Sequence, residues 1–192
     1  MKILNEDLIQ SFWQQGANNC ASIALIKAAI GTFGLNNIFQ LEESPDKFVA
    51  SLRDGTKVSF CRADLVLSKK VGSFQKSRNA SAEKELLYTA IREYEELCFA
   101  VMVAKYNLDN SINSFEKSLT SLSNGANARF VSQYLGLSNY CSEVFRGNAD
   151  RENMIAWEHM PWLKHVVYMS ANQYDYYGSV FTNVNKFSKR IQ

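Results

Sequence analysis

Residues 20–30, CASIALIKAAI, constrain this chain more than any other stretch. Ala21, Ala24, Leu25 and Ala28 recur at helical spacing, with Ile23, Ile26 and Ile30 beside them. A helix that is apolar on every side has no face to offer water, so the segment predicts a central, buried helix. Its small residues let neighbouring elements approach closely, and Gly31 and Gly34 end it. Lys27 is the one charge in the run. Neither this stretch nor 98–104 reaches the about 18–20 apolar residues of a membrane span.

The rest of the composition supports a packed protein. Of 192 residues, 46% are hydrophobic and 21% charged, which excludes disorder over the whole chain and suits one domain. Basic and acidic residues nearly balance (21 against 19), so no net field draws the chain to nucleic acid or to an anionic membrane. Short basic runs at Lys69-Lys70 and Lys189-Arg190 read as solvated faces. The opening MKILNEDLIQ carries Glu6 and Asp7 where a signal peptide has its apolar run, so a soluble, cytoplasmic protein is expected. The cysteines at 20, 61, 98 and 141 are widely separated, without the close pairs of a zinc site. P-loop, GxGxxG, HExxH and GxSxG patterns are absent.

The hydrophobic period changes along the chain. Alternation through Phe48, Ala50 and Leu52, then Asp54-Gly55, then alternation through Val58 and Phe60 predicts a hairpin over 47–67. Residues 68–80 read as a polar loop. Helices are expected over 82–106, 111–124 and 127–135, and a short one over 148–157. The run beginning His165-Val166-Val167 reads as a buried strand, 170–178 as a connection and 179–184 as its partner strand. Helices first and strands last point to an α+β fold: a mainly helical lobe over 1–140 with an early hairpin, then a mainly strand lobe over 141–192.

The chemistry centres on Cys20. It opens the buried helix, where unpaired N–H groups and the helix dipole favour an anion, and the thiolate is the nucleophilic form of cysteine. An inert core cysteine is the plain alternative. Gln14, in the Gly/Asn loop before Cys20, has an amide suited to stabilising an oxyanion beside the Cys20 N–H, and Gln15 is the neighbouring choice. A thiol nucleophile needs an imidazole. Of the two histidines, His165 at a strand entrance is preferred to His159, which lies just ahead of Pro161. A third group orients the imidazole. Asn183, on the following strand, is preferred, with Asn185 and Asp175 also available. Tyr174, Tyr176 and Tyr177 stand ready to line a cleft or to cover the edge of the core.

These residues and their order resemble the papain-like cysteine peptidases. QQGANNCASIALIKAAI is similar to the calpain-type segment of Gln-Gly, a short loop and a cysteine opening an alanine- and leucine-rich helix. The stretch from Glu85 to Leu108, followed by FEKSLTSLSNG, is loosely similar to the same family's middle region. The resemblance implies a papain-like fold with a central Cys-bearing helix in a helical N-terminal lobe and a C-terminal antiparallel sheet. It implies Cys20 as nucleophile, His165 as base, Asn183 as orienting group and Gln14 as oxyanion donor. The activity implied is hydrolysis of a peptide or isopeptide amide in a protein or peptide substrate, without metal or organic cofactor. Ala21 stands where the family usually has an aromatic, Lys164 where it has Gly, and Val184 where calpains have Pro after Asn. These departures motivate the alternative, a catalytically inactive papain-like fold acting as a protein-binding module.

Overall fold

The structure is a computed structural model that describes residues 3–76, 80–144, 152–157, 165–182 and 187–191. Short N-terminal elements, α1 (Asn5–Ser11) and β1 (Phe12–Trp13), lead into α2 (Cys20–Phe33). Every residue of α2 from Ala21 to Ile30 is buried. The helix apolar on all sides is therefore the hub of the fold, as its sequence predicts.

The hairpin at Asp54-Gly55 forms, from β3 (Lys47–Ser51) and β4 (Lys57–Cys61), with Gly55 at φ 84°. It gains an edge strand, β2 (Gln40–Glu43), that alternation did not reveal. Its second strand stops at Cys61. There Cys61 N–H donates to Asp64 Oδ2 at 2.9 Å and Asp64 N–H to Cys61 Sγ at 3.4 Å, a reciprocal cap that starts α3 (Arg62–Gly72). The expected loop over 68–80 is thus corrected, since helix runs to Gly72. The buried residues of α3 are Ser68 and Gly72, small residues that weaken the hydrophobic period of Leu65, Leu67 and Val71 beside them. Lys69 ties it to the next helix through Glu96 at 2.8 Å.

After β5 (Gln75–Lys76), which pairs with β1, the chain enters α4 (Ala82–Asp109), capped by the Ser81 hydroxyl. Then comes α5 (Phe115–Ser123), capped by Ser114. The helix expected over 127–135 shrinks to a 3-10 helix, Val131–Leu135, closed by Gly136 at φ 67°; a second 3-10 turn spans Ser138–Tyr140.

The last described part is sheet. It consists of β6 (Cys141–Val144), β7 (Met154–Trp157), β8 (Val166–Ser170), β9 (Gln173–Tyr176), β10 (Ser179–Thr182) and β11 (Phe187–Ile191). The order across it is β10-β9-β8-β7-β11-β6, with every pairing antiparallel. The helix expected over 148–157 is corrected where it is described. Met154 to Trp157 form β7, because β8 and β11 flank it on both sides and supply its backbone partners. The connection expected over 170–178 likewise contains β9. β8 is buried along its whole length. Val166 and Tyr168 join the main core, while Val167 and Met169 join a small cluster with Met154 and Ala156. The two-residue period thus points alternate side chains of β8 to opposite faces of the sheet. The fold is α+β with antiparallel sheets. Among the described residues no helix is long and apolar enough to cross a membrane.

Candidate functional site

The start of α2 meets the start of β8. Cys20, the first residue of the helix, and His165, the residue before the strand, line one small cavity of about 20 Å³. Trp13, Gln14, Asp175 and Tyr177 line it too. That space holds roughly one water molecule. Residues far apart in sequence meet here because α2 packs along β7 and β8.

Cys20 is partly buried. Burial pushes its thiol above the ordinary value, and backbone N–H groups of Val166, Ala21 and Cys20 itself oppose that shift. The thiol therefore carries its proton at neutral pH in this conformation. Val166 among these donors places the sulfur beside the strand entrance that presents His165. The capping residue before Cys20 is fixed as well, since Asn19 is fully buried and its amide donates to Gly72 O at 3.1 Å.

Gln14 reaches the cavity, whereas Gln15 is exposed. The Gln14 side-chain amide donates to Ala17 O, and its carbonyl oxygen is buried without a hydrogen-bond partner among the described residues. An amide group has two N–H donors, so one remains for an incoming oxygen.

The His165 imidazole stacks on the Tyr177 ring, with centroids 5.1 Å apart and planes at 19°. Asp175 lines the same cavity, and its two carboxylate oxygens are engaged elsewhere. Oδ1 accepts from Gly178 N at 2.8 Å, and Oδ2 accepts from Lys27 Nζ at 2.6 Å. Asn183, Asn185 and His159 lie outside the described residues. Asp175 is the candidate for the orienting group that lies among the described residues, and it lines the cavity.

Lys27 and Trp13 belong to this neighbourhood, and composition and spacing did not single them out. The available signal for Lys27 was a charge inside an otherwise apolar helix, which requires a buried partner. Burial lowers its ammonium, and Asp175 chiefly opposes that shift, with Glu95 adding to the opposition. A larger groove, about 1000 Å³, lies at the other end of α2 between Phe33, Phe39, Tyr94 and Arg53. Its described lining contains no Cys, His, Asp or Glu. Among the described residues no cluster of His, Cys, Asp or Glu is placed to hold a metal ion.

Compared with known proteins, the chain matches no family model, and no curated protein or solved structure is significantly similar to it.

Proposed function

We propose that this protein is a thiol hydrolase of papain-like design, acting on a peptide or isopeptide amide. One observation carries the reading. Cys20 at a helix start, His165 at a strand start and the Gln14 amide converge on one cavity. These three groups are what acyl transfer by a thiol requires, namely a nucleophile, a base and an oxyanion donor.

The cycle follows from their positions. At rest Cys20 holds its proton, because its surroundings disfavour the thiolate. His165 takes that proton as Sγ attacks the carbonyl carbon. The carbonyl oxygen becomes an oxyanion, received by the Gln14 amide and the Cys20 N–H. His165 then protonates the amine nitrogen as the C–N bond breaks, leaving a thioester on Cys20. Water, deprotonated by His165, cleaves the thioester to a carboxylic acid and restores the thiol. A cavity sized for one water does not hold a peptide, so the substrate lies across the rim and only its scissile carbonyl reaches Cys20.

The burial of Cys20 also favours a second reading, a papain-like fold without turnover that binds a protein partner. A peptide aldehyde, which forms a thiohemiacetal, separates the two. Native mass spectrometry is expected to show this reversible adduct on the intact protein but not on Cys20→Ser, formed at least about tenfold more slowly in His165→Gln, because general-base assistance is worth about 10²–10⁴. An adduct rate indifferent to His165, or no adduct at Cys20, overturns the hydrolase and leaves the binding module.

A further inference from the structure

We infer that Lys27 is a positioning residue for His165, acting through Asp175 and the turn between β9 and β10. The inference rests on the reading of His165 as the base.

The chain of contacts is continuous. Lys27 is fully buried. Its ammonium has three donors, and three acceptors surround it, Asp175 Oδ2 at 2.6 Å, Ile9 O at 3.0 Å and Phe12 O at 2.5 Å. A lysine so held does not wander. It locks the carboxylate of Asp175, whose other oxygen accepts from Gly178 N at 2.8 Å. Gly178 is the second residue of the two-residue turn Tyr177-Gly178, which joins Tyr176 to its partner Ser179.

That turn is where the arrangement becomes informative. Both turn residues have positive φ, 51° at Tyr177 and 81° at Gly178. Asn-Gly is the preferred pair for such a turn, and a bulky side chain at its first position is strained. A strained residue persists only where its surroundings over-determine it. Asp175 restrains the turn from one side. From the other side comes Trp13, whose ring lies where a Cβ on Gly178 would sit, 2.4 Å away. The result of this restraint is the Tyr177 ring set against the His165 imidazole.

Stability alone is a poor reason to keep such a pair. Apolar residues of similar volume commonly match or exceed a buried ion pair. What Lys27–Asp175 supplies, from about two turns of helix beyond Cys20, is a fixed position for the turn, and so a fixed plane for the imidazole.

The test reads the imidazole itself, by NMR of the full chain labelled at histidine, with His165→Gln to assign the signal. In the wild type the stacked Tyr177 ring is expected to displace the His165 ring protons upfield. Tyr177→Asn, which creates the preferred turn pair, is expected to fold and to abolish the displacement. Lys27→Met/Asp175→Asn, which removes both charges together, is expected to abolish it as well while core methyl signals stay in place. A folded double variant that keeps the displacement overturns the inference. If the double variant does not fold, amide exchange at Gly178 in the wild type decides. Protection supports the link through Asp175, and exchange as fast as in an unstructured peptide breaks it. Neither readout depends on turnover. Failure of the hydrolase reading shows separately, as a Cys20 adduct that is missing or indifferent to His165.

Discussion

The Lys27 ammonium and the Asp175 carboxylate lie 2.6 Å apart, with the Lys27 side chain wholly shut off from water. The pair joins α2 to β9. Lys27→Met leaves Asp175 buried without its counter-charge, and a loss of about 3–5 kcal/mol is expected in urea unfolding. Adding Asp175→Asn is expected to recover most of that loss, because the remaining group is then neutral. Equal stability of single and double variants would show that the two charges are not coupled.

Glu95 is another buried ionisable residue. It is fully buried in α4, and neither of its carboxyl oxygens has a hydrogen-bond partner among the described residues. Burial pushes its pKa well above the ordinary 4.5; Glu96 pushes the same way, while Lys27, Arg92 and Lys69 oppose. The folded state therefore holds a proton that the unfolded chain releases above about pH 4.5. The raised value contributes stability below that pH, and the contribution is lost as pH rises towards the folded pKa. Urea unfolding of Glu95→Gln across pH 4–8 is expected to lack this decline, making the variant the more stable protein at pH 7. Parallel pH profiles for the two proteins would mean that Glu95 does not retain its proton.

Tyr177→Asn tests whether strain is kept for a purpose. Asn tolerates positive φ, so the variant is expected to unfold at higher urea concentration, with a gain of about 1 kcal/mol. Its Cys20 is expected to form the aldehyde adduct more slowly, because the imidazole has lost its stacked partner. A gain in stability without any change in adduct rate would separate the strain from the chemistry.

The cysteines should differ in order of access. Cys61 is exposed, Cys20 is partly buried and Cys98 is fully buried, its thiol pushed well above the ordinary range by burial. Alkylation by iodoacetamide at neutral pH, resolved by peptide mass spectrometry, is expected to run Cys61 first, Cys20 more slowly and Cys98 not at all until the chain unfolds. Early labelling of Cys98 would contradict the packing of α4.

Much of the fold was legible where one residue pattern decides the outcome. A helix with no polar face had to be central, and Asp54-Gly55 between alternating residues had to be a hairpin. What stayed hidden was decided by neighbours. Helix α3 hides because its buried stripe uses Ser68 and Gly72, and its start depends on a cysteine serving as cap. Met154 to Trp157 are extended because β8 and β11 lie on either side, and no local signal carries that. The candidate site divides in the same way. Cys20, His165 and Gln14 stand out by residue type and by position at element ends. Asp175 emerges beside the cavity because pairing Met169 with Tyr174 puts Asp175 opposite Tyr168, on the face of the sheet towards α2. Lys27 is recognisable in sequence as an anomaly, but its partner is a property of the packing.

The order of strands also bears on how the chain reaches this state. β11 lies between β7 and β6, so Cys141 finds its ladder partner only in Ile191. Contacts this distant in sequence raise the contact order and slow folding, because a long loop must close before any pairing repays it. During synthesis β6 emerges well before its partner and has to wait as an open edge, the form in which a strand most readily pairs with the wrong chain. The ladder around β6 is complete only when β11 enters between it and β7.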